Sequence, residues 1–252
     1  YMPAAKLGRE VGVSESTVVR FVMEFGFDGY PDFQKSLREL IRSKLTAVQR
    51  VEVTNNLIGE GDVLQKVLNS DIEKIKRTAE GIDGEAFDAA VKSIISAKNI
   101  YILGMRASSY LAGFLNYSLR MIFDNVRLIQ TTSGNETFEQ IMNIGEGDVL
   151  IAVSFPRYSR SVVKGVEYAK RAGANVIALT DSQSSPIADK ASQLLVAQSD
   201  MASFADSLVA PMSVINALIV AVSRETNDIL SERLHRLEAV WDEYNVYDKP
   251  SN

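Results

Sequence analysis

The sequence predicts a chain of two parts, a small all-α domain followed by a larger α/β domain with a doubly wound, parallel, five-stranded sheet. From residue 99 onward, short apolar runs rich in β-branched residues alternate with helical stretches. This alternation is typical of parallel sheets covered by helices on both faces. Glycines divide the segment before residue 50 into short helical pieces. The composition, 46% hydrophobic and 23% charged, is that of an ordinary globular protein.

The apolar runs give the expected strands, and the stretches around them give the expected helices. We expect strands at residues 100–103, 126–129, 149–153, 176–179 and 194–196. We expect helices near residues 85–97, 109–123, 137–144, 159–172, 185–191, 208–224 and 229–244. The chain then divides into an N-terminal domain over residues 1–50, a linker and connecting helix over 51–84, and the α/β domain over 85–252.

The connecting region begins with a polar, mixed stretch. Residues 45–61 indicate a linker with a helical start, and Asp62 is placed to cap the helix that follows. Apolar residues recur at helical spacing in that helix, which predicts an amphipathic helix. They are Val63, Leu64, Val67, Leu68, Ile72 and Ile75.

Composition excludes some classes of protein. The chain has no cysteine, so neither a disulfide framework nor a thiolate metal site is possible. The longest apolar run, Ala217–Val222, is far too short to span a bilayer. The first residues lack the basic start and apolar run of a signal peptide. We therefore expect a cytoplasmic protein without a membrane partner.

Charge is distributed unevenly along the chain. The net charge of −5 by itself argues against nucleic acid as a partner. Residues 1–50, however, carry eight Lys and Arg against six Asp and Glu, which leaves +2 there and −7 in the rest. This asymmetry is compatible with a DNA-binding head on an acidic body.

A helix-turn-helix pattern occupies Leu7–Phe21. Gly12 can end the first helix in the left-handed conformation, and Ser14 can cap the second helix. Gly8 is small where the two helices approach, and Val13 is expected to pack into the angle between them. The motif begins so close to the first residue of the chain that we expect an N-terminal truncation of this domain.

The second helix of the motif has one expected buried stripe and one outward face. The stripe consists of Val18, Phe21 and Val22. A recognition helix in a major groove needs polar side chains pointing outward. The residues expected to contact DNA are Ser14, Ser16, Thr17 and Arg20. The alternative is an ordinary helical hairpin with a capped second helix.

Two loops of the α/β domain, residues 104–110 and 154–161, are rich in hydroxyl groups. Both follow expected parallel strands, where open α/β sheets bind ligands, and both lead into helix N-termini, which attract phosphate. Serine adds hydrogen-bond donors and arginine adds charge. Two such loops in one sheet favour an anion site over simple helix capping. Neither a phosphate-binding Walker motif nor a dinucleotide-binding motif is present, because Gly104 lacks glycine partners at the required spacing.

The chain resembles the RpiR family of bacterial regulators, which joins a helix-turn-helix to an SIS (sugar isomerase) domain. The resemblance covers nearly the whole chain. It rests on Gly12-Val13-Ser14 with Thr17-Val18 and Arg20, on Phe27-Xaa-Gly29-Tyr30-Xaa-Asp32-Phe33, on Ile102-Leu103-Gly104 followed by Ala107-Ser108, and on Ser154-Phe155-Pro156-Arg157-Tyr158-Ser159-Arg160.

The resemblance implies an SIS fold and a sugar-phosphate site. The second loop of SIS domains usually reads Ser-Xaa-Ser-Gly-Xaa-Thr; here Ser154 matches the first Ser and Ser159 the Thr, while Pro156 and Arg157 replace the second Ser and the Gly. One phosphate hydroxyl is therefore lost, and Arg157 is expected either to compensate or to bind a different anionic group. The expected effector-binding residues are Arg106, Ser108, Ser109, Ser133, Glu136, Ser154, Arg157, Tyr158 and Ser159.

An aldose-ketose isomerase is the main alternative, because SIS domains also occur in isomerases. Such an enzyme needs a positioned base and usually an acid. The only histidine, His235, lies in a charged helix, Glu136 has no evident acid partner, and Glu167 lies in mid-helix. We therefore expect a regulator with no catalytic residue, metal or cofactor.

The expected partners are operator DNA and a phosphorylated sugar or amino sugar. The resemblance and the symmetry of operators also imply a homodimer or a dimer of dimers. The apolar helices around Leu111–Phe123 and Leu208–Val222 are candidate dimer interfaces, with the intramolecular core as the alternative.

Overall fold

The computed structural model describes residues 2–58, 61–130, 136–201 and 203–247. The chain forms two compact units that divide between Glu52 and Val53. The first unit contains α1 (Ala4–Val11), α2 (Glu15–Glu24) and α3 (Tyr30–Lys44), and α4 (Ala47–Ile58) spans the division. Most of residues 45–61, expected to be a linker with only a helical start, is therefore helical.

The first unit has a small core made by Ala4, Val18, Val22 and Tyr30. The expected burial of Phe21 is wrong, because 57% of this residue is exposed and its ring packs on Phe25, with 4.9 Å between ring centroids. A stripe at positions 18 and 22 suffices to join α2 to its neighbours, and position 21 lies to one side of it.

The turn between α1 and α2 is built as expected except at Val13. Gly12 has φ 75°, and Ser14 begins α2 with its Oγ accepting from Thr17 N at 3.2 Å. A Cβ on Gly8 would lie 2.7 Å from Val13 O, so the close approach at this position requires glycine. The side chain of Val13 does not fill the angle between the helices, since the residue is 42% exposed.

The second unit is an α/β domain. Its elements are α5 (Val63–Gly81), α6 (Gly84–Ser96), β1 (Ile100–Gly104), α7 (Ser108–Arg120), β2 (Val126–Ile129), α8 (Glu136–Ile141), β3 (Val149–Val153), α9 (Arg160–Arg171), β4 (Asn175–Thr180), β5 (Gln193–Val196), α10 (Val209–Glu225) and α11 (Asn227–Glu243). The helix expected at 185–191 is only a 3₁₀ turn, Ala188–Lys190. All five strands run parallel, in the order β2-β1-β3-β4-β5.

The sheet is buried on both faces, which explains why its central strands read as continuous apolar runs. On one face α6, α7 and α10 bury residues such as Leu115 and Leu218, and on the other α8 and α9 bury residues such as Ile141 and Val166. The main apolar residues of α7 and α10 belong to this core. These two helices were candidate dimer interfaces, and for these residues the alternative, the intramolecular core, holds. Among the described residues, no helix is long and apolar enough to cross a membrane.

The C-terminal helix α11 is held at the surface, and none of its described side chains is buried. The Arg233 guanidinium lies 2.6 Å from the Asp124 carboxylate. Its hydrogen bond and charge lower the pKa of that carboxyl below its ordinary value. The pair is exposed to water, so it orients α11 more than it stabilises the fold.

Candidate functional site

The candidate site lies at the topological switch point of the sheet. From β1 the chain moves to β2 on one side, and β3 then pairs with β1 on the other side. The register aligns Gly104 at the end of β1 with Val153 at the end of β3. Loops leaving these two strands run to helices on opposite faces, which opens a crevice at the carboxyl edge. Loop A (residues 105–109) and loop B (residues 154–160) are the loops that flank this crevice.

Loop A is closed by its own hydrogen bonds. Ser109 Oγ donates to Arg106 O at 2.6 Å, and Ser109 N donates to the same oxygen at 3.0 Å. Ser108 N and Tyr110 N also bond to carbonyls within the loop. Arg106 has φ 57°, a left-handed conformation in which its carbonyl receives the Ser109 groups. The first-turn amides of α7 are therefore largely occupied before any ligand arrives.

Gly104 allows loop A to pack closely on β1. A Cβ at this position would lie 2.5 Å from Ser108 O and 2.9 Å from Ala112 Cβ. Any larger residue would push α7 away from the strand. The same packing makes Ser108 a buried residue, 7% exposed, at the start of α7.

Loop B leaves the N-terminus of α9 open. Ser159 is the N-cap residue, yet within the described part of the chain its side chain makes no capping hydrogen bond. The amides of residues 160–162 make no backbone hydrogen bond to other described residues, and the first one engaged is that of Val163, which donates to Ser159 O. Ser154 is 2% exposed at the end of β3, and Arg157 is exposed. Free amides at a helix N-terminus, beside hydroxyls and a guanidinium, form an anion site.

A third loop, which was not among the expected binding loops, supports loop B. Tyr158 OH donates to Asp181 Oδ1 at 2.8 Å, and Thr180 Oγ1 donates to Ser154 O at 2.7 Å. Thr180 Oγ1 and Ser185 Oγ also lie 2.8 Å apart. The sequence does indicate this loop. Asp181-Ser182-Gln183-Ser184-Ser185 is as rich in hydroxyl groups as loops A and B, and it also follows a strand.

The remaining expected residues divide into described and undescribed ones. Glu136 is half-buried at the start of α8, after the β2 strand whose end lies beside that of β1. Ser133 lies outside the described residues. His235 is exposed on α11, where its Nδ1 is 2.7 Å from Ser231 O, and Glu167 is exposed on α9. In the described ranges, no group of three or more His, Asp or Glu side chains could hold a metal ion.

The first compact unit, which we call the head, presents a second candidate surface. Ser14, Ser16, Thr17 and Arg20 are all exposed. Ser14 Oγ lies 2.8 Å from both Ser16 Oγ and Thr17 Oγ1, and Arg20 Nε donates to Ser16 O at 3.5 Å. The side chains expected to contact DNA thus share one exposed surface at the N-terminal half of α2.

Comparison with known proteins is consistent with this architecture. The family model for the SIS domain matches residues 93–221. The sugar isomerase domain of an RpiR transcription factor from Sphaerobacter thermophilus is 28% identical, with a TM-score of 0.66 over 69% of this chain and 97% of that one. The NanR protein of Vibrio vulnificus, solved with ManNAc-6P, is 21% identical, with a TM-score of 0.65 over 97% of this chain and 87% of that one.

Relatives found by sequence are named as HTH-type transcriptional regulators. An HTH-type transcriptional regulator of Clostridium perfringens is 27% identical over 188 residues, which is 74% of this chain and 66% of that protein. The HTH-type transcriptional regulator HexR of Escherichia coli is 26% identical over 196 residues, 74% of this chain and 63% of HexR. The chain thus spans about two thirds of the length of these relatives.

The fold and the matched residues define the class: the chain belongs to the SIS domain family. Its N-terminal helix-turn-helix and its relatives place it more narrowly, among the RpiR-type members that join such a head to an SIS domain.

Proposed function

We propose that this chain is a cytoplasmic transcription regulator that binds operator DNA through its helix-turn-helix and a phosphorylated sugar or amino sugar through its SIS domain. The observation that carries the effector part is the open N-terminus of α9 at the switch point, with Ser154 and Ser159 beside it. ManNAc-6P, with which NanR was solved, belongs to this chemical class. The relatives named as HTH-type regulators support the DNA-binding part.

In the proposed complex the phosphate binds at loop B. The free amides of residues 160–162 and the hydroxyls of Ser154 and Ser159 donate to its oxygens, and Arg157 supplies charge. The Ser108 hydroxyl donates to the phosphate from the other side of the crevice. Ser109 contributes its turn hydrogen bond to Arg106 O instead. Glu136, with Ser133 from the undescribed segment, is proposed to meet the sugar hydroxyls.

A groove elsewhere in the domain is a weaker candidate for this ligand. It has a volume of about 520 Å³ and is lined by Phe138, Lys164, Glu167, Lys170, Arg171 and Lys190. The Lys190 ammonium is already bound to Asp189 at 2.9 Å and lies 3.8 Å from Glu167. No strand end contributes to the groove's described lining, so it lacks the convergence of loops found at the switch point.

Regulation then follows from linkage between the two sites. A dimer places two recognition helices about one turn of DNA apart, near 34 Å. An effector can change operator affinity only by its different affinity for the two arrangements of the heads, typically about 1–3 kcal/mol. The ligand therefore tunes DNA binding by a factor of roughly five to 150.

The effector site is tested by calorimetry with a panel of sugar and amino-sugar phosphates that includes ManNAc-6P. The double change Ser108→Ala with Ser154→Ala should weaken the best ligand by about 3–6 kcal/mol if the two hydroxyls act independently, and by less if they share one oxygen. Operator binding without effector should persist. An affinity within about threefold of the unchanged protein places the phosphate elsewhere.

The DNA-binding surface is tested by Arg20→Ala and Thr17→Ala. Each change should weaken operator binding by about 1–3 kcal/mol, because each removes one base or phosphate contact. Arg9→Ala on the exposed side of α1 is the control for general loss of positive charge, and circular dichroism checks folding. Full operator affinity in both α2 variants would exclude this surface. Conversion of aldose to ketose phosphate by the purified protein would favour the isomerase alternative.

A further inference from the structure

Helix α5 packs on its domain with a largely polar side, while most of its apolar residues face solvent. Lys74 and Thr78 are 4% and 5% exposed, whereas Leu64 and Ile72 are 64% and 59% exposed. An isolated surface helix ordinarily does the opposite and buries its apolar stripe. The α5 stripe, as we call it, consists of Leu64, Leu68, Ile72 and Ile75, all of them exposed.

Specific hydrogen bonds fix α5 in this rotation about its axis. Thr78 Oγ1 accepts from Gln198 N at 2.9 Å, and Ser207 Oγ donates to Asp71 Oδ1 at 2.7 Å. Lys74 Nζ donates to Ser70 Oγ at 2.7 Å and lies 3.3 Å from Asp71 Oδ1. Turning the helix to bury the stripe would break this network and strand a buried charge. The exposure of the stripe is therefore built into the packing of the domain.

The stripe has the composition of the centre of an interaction surface. Four large apolar side chains on one stretch of helix form a contiguous exposed patch, and such patches on soluble proteins often mark a binding site. A stable interface buries about 800 Å² on each partner, and homodimer interfaces are about 65% apolar. The stripe supplies an apolar centre for such an interface, and its polar neighbours supply the rim.

We propose that the α5 stripe is the surface through which a second copy of this chain binds, with the two α5 helices antiparallel about a two-fold axis. This inference rests on the proposed function and names the surface that a dimeric regulator needs. The stripe is self-complementary, because an axis near residue 70 sets Leu68 level with Ile72 of the second copy and brings Leu64 within one residue of the level of Ile75. Two-fold interfaces require such self-matching.

The charges beside the stripe also permit self-association. Lys66, Glu73 and Arg77 are exposed farther round the helix. Directly beside the stripe, the set in order around the helix is Gln65, Lys76, Asn69 and Glu80. The only two charges in this set have opposite signs and lie four residues apart. In the antiparallel arrangement Lys76 comes level with Leu64 and not with a second lysine. Within this described set, no like-charge contact therefore opposes the pairing of two copies.

The first test is sedimentation velocity on the full chain without DNA. The unchanged protein should be a dimer at micromolar concentration, and Leu68→Glu with Ile72→Glu should raise the dimer dissociation constant at least 100-fold. Val240→Glu is the matched control, since Val240 is 48% exposed on another helix, α11, and this change should leave the dimer intact. A monomeric unchanged protein, or a dimer that survives the α5 changes, overturns the proposal.

Cross-linking provides a second test that does not depend on destabilising changes. The chain has no cysteine, so an introduced thiol is unique. A mixture of Leu68→Cys and Ile72→Cys chains, one of them enlarged by a tag, should oxidise mainly to the mixed disulfide dimer, because these positions are level in the antiparallel pair. Linking no faster than that of Val240→Cys, on α11, overturns the proposal.

Measuring effector and operator binding with the same variants separates the hypothesis of an α5 interface from the hypothesis of a sugar-phosphate-responsive DNA-binding regulator. A monomeric α5 variant should still bind the sugar phosphate with an affinity within a few-fold of the unchanged protein, while operator affinity falls because two heads no longer bind together. A dimer that joins through α5 yet binds neither DNA nor sugar phosphate would refute the proposed function and leave the interface in place.

Discussion

Loops A and B look alike in sequence but differ in what their polar groups do. Both follow a central parallel strand, both contain serines and an arginine, and both begin a helix. In loop A the Ser109 hydroxyl and the first-turn amides are already bonded within the loop. In loop B the cap hydroxyl of Ser159 and the first three amides of α9 remain without backbone partners among the described residues.

This difference assigns separate roles to the two loops. A group that is already hydrogen-bonded gains little by changing partners, whereas an open helix N-terminus gains a full set of charge-assisted bonds from an anion. Loop A is therefore expected to act as a rigid wall of the crevice that adds the Ser108 hydroxyl, and loop B as the main anion-binding element. Three sets of variants test whether the two loops differ in this way.

The largest expected difference is between Ser159→Ala and Ser109→Ala. Ser159→Ala should weaken sugar-phosphate binding by about 1.5–3 kcal/mol, because it removes a donor to a charged group, and it should leave the unfolding free energy almost unchanged. Ser109→Ala should do the reverse, with affinity kept and stability lowered by about 1 kcal/mol. Calorimetric titration and urea unfolding measure the two quantities. Equal loss of affinity in both variants would remove the distinction between the loops.

The second prediction concerns the packing of loop A on β1. Gly104→Ala should destabilise the SIS domain by about 1–3 kcal/mol, because the new Cβ would meet the backbone oxygen of Ser108 at 2.5 Å. Gly113→Ala is the matched control on α7, where a Cβ would meet no described atom within 4 Å. This control should stabilise by up to about 1 kcal/mol, since alanine is the better helix former. Unfolding curves that rank the variants the other way would contradict the close packing.

The smallest effect is expected for Tyr158→Phe, which removes the hydrogen bond from loop B to Asp181. The free energy of unfolding should fall by about 0.5–1.5 kcal/mol. Effector affinity should fall slightly, because loop B keeps the Thr180 hydrogen bond to Ser154 O. Asp181→Asn, which retains an acceptor, should lose less stability than Tyr158→Phe. A large loss of affinity in Tyr158→Phe would mean that the phenol itself contacts the ligand.

The sheet could be predicted closely because its physical signal is strong. Central parallel strands are buried on both faces, so they read as uninterrupted apolar runs, and all five expected strands lie within one residue of the observed bounds. The head was harder to predict, because the periodicity of apolar residues identifies α2 but does not determine how many residues belong to its buried stripe. Phe21 has the spacing of a buried residue and is exposed.

Two further features depend on partners that sequence patterns do not reveal. The apolar pattern of α5 correctly indicates a helix, but the polar network with Gln198 and Ser207 determines which side packs inward. Likewise, the serines mark both loops as candidates, but backbone hydrogen bonds decide which helix N-terminus is open. The third loop, at Asp181, was accessible from the same reasoning, since it too is hydroxyl-rich and follows an expected strand.

The all-parallel pairing of the sheet has a consequence for how the chain folds. Each strand pair joins distant parts of the sequence, as when Ile100 pairs with Val149, whereas α1 and α2 are joined by a turn of a few residues. Contacts between distant residues form slowly because a long loop must close first. During synthesis the head emerges before the sheet and is expected to fold while the strands are still being made. Each molecule would then pass through a stage in which a folded head is attached to an unfinished sheet.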